Sequence, residues 1–90
     1  MSDIFRDYSF GGWLRSFRVE KQIGLREMSR TLGMQPSQYC KIEKSELDPP
    51  SNRERLEQLI APLKLEENRK EMLLSLAYQH HLSKLKSRFK

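Results

Sequence analysis

The stretch "LREMSRTLGMQPSQYCKIEK", residues 25–44, decides how this chain is read. Leu25, Met28 and Leu32 recur at helical spacing and share a face, and Ser29 is small enough for another helix to come close. Gly33 stands just past the last periodic residue, where a left-handed backbone ends a helix. Pro36 then suits the first turn of a new helix, because its missing N–H would have no intrahelical partner there. Gln35 before it is an unusual N-cap. Tyr39 and Ile42, with Met34 ahead of them, face one way; Ser37, Gln38, Lys41 and Lys44 face the other. The stretch therefore predicts two short helices, Leu25–Leu32 and a second from Pro36. Helices this short do not hold in water alone, so their neighbours must support them.

Working outward, Ser9 is a plausible N-cap for a preceding helix in which Phe10, Trp13, Leu14 and Phe17 make an i, i+3, i+4, i+7 stripe. Gly11 and Gly12 weaken its first turn, and Gly24 should stop it near Gln22. Downstream, "SELDPPS" (45–51) reads as a turn, since two prolines forbid helix continuation. Ser51 with Glu54 forms a capping-box pattern for a fourth helix carrying Leu56, Leu59, Ile60 and Leu63, which Pro62 should shorten or bend. A fifth helix from about Glu66 turns Met72, Leu73, Leu76 and Ala77 toward the core. A second stripe on it (Leu74, Tyr78, Leu82, Leu85 and Phe89) runs past what one small core can cover. No stretch alternates strictly between apolar and polar residues, so the expectation is all-α.

The bulk properties fit one small soluble domain of 90 residues, 37% hydrophobic and 32% charged. No apolar run nears the roughly 20 residues that cross a bilayer, and the first ten residues lack a signal-peptide core. The lone Cys40 fits a reducing compartment, so a cytoplasmic location is expected. The net charge of +5 is uneven: residues 13–45 carry +4, residues 46–80 carry −2 and residues 81–90 carry +4. One positive face is implied, which favours a polyanionic partner. His80 and His81 are adjacent, so on a helix they point about 100° apart and cannot chelate one metal together. Cys40 reads as a packing residue and Glu66-Glu67 as partners of a helix N-terminus. No nucleophile–base pair, phosphate-cradling loop or metal cluster is visible. The expectation is a non-enzyme without cofactors.

The segment "IGLREMSRTLGMQPSQYCKIEKSELDPPS" (23–51) resembles the phage-repressor-type (Cro/XRE-like) helix-turn-helix family. Met28-Ser29 stand at the family's usual Leu-Ala, Gly33 at its turn glycine, and "QPSQYCKIEK" is similar to its recognition helix. Ile42-Glu43 and "DPPS" match its Ile-Glu pair and the start of its fourth helix. The likeness covers about Trp13 to Leu65. It implies a five-helix lambda-repressor-like domain over residues 1–66, followed by an extended C-terminal helix with a basic tail over 67–90. It also implies that Arg18 pairs with Glu43 across helices one and three as a structural ion pair. Three departures stand out. Gly24 and Leu25 occupy positions usually held by a Ser or Thr cap and a phosphate-contacting Gln, and Ser45 replaces a common Gly.

In such a domain the partner is double-stranded DNA. The major groove admits a helix, and Gln, Lys and Ser side chains match its donors and acceptors, which makes Ser37, Gln38 and Lys41 the candidates for base readout. Arg26, Gln35, Lys44, Asn52 and Arg53 are candidates for phosphate contacts that set register. A homodimer would read two half-sites about 34 Å apart, and Leu74, Tyr78, Leu82, Leu85 and Phe89 are the candidate dimerisation face. The same stripe is open to two other uses: folding back on its own chain, or covering a protein partner, as in an antitoxin that neutralises a toxin. The leading expectation is a sequence-specific regulator of transcription, acting as a dimeric autorepressor on an inverted repeat.

Overall fold

The computed structural model describes the backbone of residues 9–88 and side chains through residue 83. It consists of five α-helices with no strand among the described residues: α1 (Phe10–Glu20), α2 (Leu25–Leu32), α3 (Pro36–Glu43), α4 (Arg53–Ile60) and α5 (Glu67–Arg88). A 3₁₀ turn, Ala61–Leu63, joins the last two. No helix among the described residues is long and apolar enough to cross a membrane.

The helix limits reflect local chemistry. Ser9 caps α1, its hydroxyl accepting from the Gly12 N–H at 3.4 Å. α1 ends at Glu20, two residues before the expected Gln22, and Gln22 itself adopts a left-handed backbone at φ 60°. The same ending recurs twice. Gly33 closes α2 at φ 69°, and Ser45 comes after α3 at φ 65°. At all three, the next residue's N–H reaches back five positions: Ile23 to Arg18, Met34 to Ser29, and Glu46 to Lys41, at 2.8–3.1 Å. Gln35 precedes α3 without a side-chain cap bond, and Pro36 opens the helix as expected. The cap of α4 differs from expectation: Asn52, not Ser51, holds it. Its Oδ1 accepts from the N–H groups of Glu54 (2.8 Å) and Arg55 (3.2 Å). Pro62 stops α4 at Ile60 and tightens Ala61–Leu63 into the 3₁₀ turn.

The core gathers Phe10, Leu14 and Phe17 of α1, Met28 of α2, Tyr39 and Ile42 of α3, and Leu56, Leu59 and Ile60 of α4. Leu63 joins them, together with Leu73, Leu74 and Ala77 of α5. α1 packs on both α3 and α5, and α2 packs on α3 and the 3₁₀ turn. The first half of α5 thus belongs to the same core as the preceding helices. Leu74, expected on an outer stripe, is only 8% exposed and lies in its own chain's core. The reason is phase: α5 carries apolar residues at 72, 73, 74, 76 and 77, a wider stripe than one heptad seam, and docking against α1 and α4 draws in the middle of it.

Gly11 has a second function beyond the weak helix turn that its type suggests. A Cβ there would collide with the carbonyl oxygens of Ile42 and Glu43, so the start of α1 touches the backbone end of α3 directly. Ser9 and Ser45 extend this junction, with their hydroxyls 2.8 Å apart.

Candidate nucleic-acid interface

α3 presents two unlike sides. Tyr39, Ile42 and Glu43 are buried, whereas Ser37, Gln38 and Lys41 are exposed, together with Gln35 and Lys44 at the helix ends. Among the described residues, no hydrogen bond or ion pair engages the Ser37, Gln38 or Lys41 side chains. The structure thus brings the three predicted readout residues onto one open face, with a hydroxyl, an amide and an ammonium group within about one turn.

The buried side is fixed by charge as well as by packing. Arg18 Nε donates to Glu43 Oε2 at 2.6 Å, Nη2 donates to Oε1 at 3.1 Å, and Nη1 donates to the Ile23 carbonyl at 2.8 Å. The side chains are 11% and 3% exposed. The hydrogen bond and charge of Glu43 raise the Arg18 pKa above its ordinary value, outweighing desolvation. One guanidinium therefore ties α3 to α1 and to the loop that starts α2. The Tyr39 hydroxyl lies beside this pair, wholly buried and without a hydrogen-bond partner. Burial, and secondarily the Glu43 carboxylate, push this phenol far above its usual range, with Arg18 pulling the other way.

Positive charge accumulates near α3. Arg26 and Arg30 on α2 are exposed and, with Ser29, Met34 and Pro36, line a shallow depression between the two helices. Arg26, Arg30, Lys41 and Lys44 form no ion pair among the described residues. Arg30 was not singled out from sequence. Its position four residues after Arg26, on the same helix face, is the signal that finds it.

The α4 candidates sit differently. Asn52 spends its side-chain oxygen on the helix cap. Arg53 is held by Glu57 at 3.0 Å and faces Glu71 of α5 at 3.6 Å. Its guanidinium pKa is raised, chiefly by the Glu57 hydrogen bond, and the Glu57 carboxyl is correspondingly lowered.

On α5, Tyr78 is 67% and Leu82 36% exposed. The side chains of Leu85 and Phe89 lie outside the described residues. His80 and His81 have a structural use that their adjacency hid. His80 Nε2 is 2.9 Å from Asp48 Oδ1 and His81 Nε2 is 2.8 Å from the Pro49 carbonyl, so α5 clips the loop between α3 and α4. No group of three or more potential metal ligands occurs among the described residues. No protein-family model, curated protein or solved structure matches this chain.

Proposed function

We propose that the protein is a sequence-specific DNA-binding regulator of transcription, with α2 and α3 as a lambda-repressor-type helix-turn-helix and α3 as the helix that enters the major groove. One observation carries the reading. α3 keeps a hydroxyl, an amide and an ammonium group open on one side, while a buried two-pronged ion pair locks its other side to the scaffold. Base readout needs this combination, because donors and acceptors discriminate between bases only when their positions are held. Gln38 and Lys41 offer the strongest base contacts, a bidentate amide for adenine and an ammonium for guanine O6 and N7, with Ser37 beside them. Arg26, Arg30, Gln35 and Lys44 border the same face and serve as phosphate contacts. Asn52 and Arg53 contribute less, since both side chains are already engaged. A homodimer formed through α5 places two such helices on an inverted repeat, and occupancy of that site represses the adjoining promoter.

The test is selection from a random duplex pool, followed by titration of the enriched site. Gln38→Ala and Lys41→Ala should each weaken that site by about 1–3 kcal/mol and leave random DNA nearly unchanged. A pool that emerges unenriched, or equal losses on both DNAs, would sink the reading.

A second reading has one observation in its favour. The exposed Tyr78 and Leu82 give α5 an apolar outer face suited to a protein partner, as in an antitoxin that covers a toxin. It predicts a stable heteromer with the product of a neighbouring gene. Only self-association in the presence of that product counts against it.

A further inference from the structure

Lys41, on the open face of α3, is tied to α5 through the loop that follows its helix. The Lys41 carbonyl accepts from two backbone N–H groups beyond the helix, Glu46 at 2.8 Å and Leu47 at 3.2 Å. Immediately downstream, Asp48 Oδ1 meets His80 Nε2 at 2.9 Å, and the Pro49 carbonyl meets His81 Nε2 at 2.8 Å. We infer that His80 and His81 are positioning residues for Lys41, so that α5 sets the place of the last turn of α3 and with it the selectivity of the DNA face. The inference rests on the regulator reading and adds to it two residues that lie outside the helix-turn-helix.

The first support is the shortness of α3. Eight residues make about two turns, too few to hold in water alone, and the first turn has no side-chain cap. Lys41 stands in the last turn, so its place depends on what holds that end. The Arg18–Glu43 pair fixes the buried side. The Glu46 and Leu47 N–H groups hold the backbone at Lys41 itself.

The second is the stiffness of the link. Asp48 precedes Pro49 and Pro49 precedes Pro50, which restricts the backbone at both positions to extended conformations. Pro49 is also buried. A segment so confined passes a displacement on, because it has little freedom to absorb one.

The third is the form of the clip. Both acceptors are oxygens, so each histidine Nε2 donates. Bonds to two consecutive residues fix the direction of the loop as well as its distance, and the two rings brace each other edge to face at 5.4 Å. The His80 and Asp48 side chains remain 27% and 45% exposed, so the pair contributes little to global stability and its loss acts locally.

Amide hydrogen exchange and DNA titration of the full chain test this. In His80→Ala and in His81→Ala, the Glu46 and Leu47 amides should exchange about fivefold faster. The Met34 amide, which makes the equivalent bond at the end of α2, should keep its native rate. The ratio of affinities for the selected site and for random duplex should fall about fivefold in each variant. His80→Gln, which keeps an N–H donor, should recover most of that ratio. In a Lys41→Ala background the histidine substitutions should leave it unchanged. Exchange that quickens equally at Met34, or a ratio that survives both substitutions while the native chain selects a site, would overturn the inference and leave the regulator standing. An unenriched pool removes the regulator, and quickened exchange confined to Glu46 and Leu47 then leaves the hold of α5 on Lys41 in place.

Discussion

Arg18 and Glu43, 25 positions apart in sequence, meet in a side-on pair of hydrogen bonds, 2.6 and 3.1 Å long, beneath the exposed face of α3. Both side chains are largely out of water, so loss of either strands the other. Arg18→Ala or Glu43→Ala should cost about 3–5 kcal/mol, read as a lowered urea midpoint. Replacing both together with apolar residues should cost much less than the two single losses added, and a double-mutant cycle measures the difference.

Tyr39 predicts the alkaline limit of stability. In the folded chain its phenol is held above the ordinary value, so the folded state keeps a proton that the unfolded chain releases above about pH 10. A group raised on folding contributes its stability below the unfolded pKa and loses it as pH climbs further. The unfolding free energy should therefore fall above about pH 10, and Tyr39→Phe should flatten that decline. At neutral pH the same variant should cost under about 1 kcal/mol or be stabilising, because the hydroxyl it removes is buried without a partner.

Gly11→Ala should destabilise by about 1–3 kcal/mol, since its methyl group meets rigid backbone at Ile42 and Glu43. Gly24→Ala is the control: open space surrounds it, and its melting temperature should stay near native.

The two left-handed helix ends that lack glycine, Gln22 and Ser45, respond differently to its introduction. Gln22→Gly should raise stability by about 1 kcal/mol by removing the strain of φ 60°. Ser45→Gly removes similar strain but also the contact with the Ser9 hydroxyl, so the two effects should nearly cancel. Thermal melts of both variants check the contrast. A Ser45→Gly gain equal to that of Gln22→Gly would show that the serine pair contributes nothing.

On DNA, Arg26→Ala and Lys44→Ala should weaken cognate and random duplexes alike. Each should reduce the slope of log affinity against log salt by about 1, measured by fluorescence anisotropy over a salt series.

Residues 25–44 were the most legible part of the chain. The limits of α2 and α3 depend on interactions spanning four or five positions: the period of Leu25, Met28 and Leu32, the left-handed freedom of Gly33, and Pro36 at a first turn. The open side of α3 came from the same period, because Tyr39 and Ile42 could anchor only one face. Ser9 as a cap was legible for the same local reason. The partnership of Arg18 with Glu43 came from family resemblance, as spacing alone does not pair residues on different helices.

Tertiary structure decided what depends on groups distant in sequence. Ser51 and Asn52 are both good caps, and packing of Leu56, Leu59 and Ile60 beyond the Pro49-Pro50 turn determined which one meets the first free N–H groups. Only the approach of α3 shows why residue 11 has no side chain. Only the docking of α5 withdraws Leu74, leaves Tyr78 outside and sets His80 and His81 on the loop at Asp48 and Pro49. Sequence by itself determined where the helices run, since hydrogen bonds and caps act over a single turn. Their packing determined which faces remain for a partner, because burial is settled by whatever the rest of the chain brings alongside.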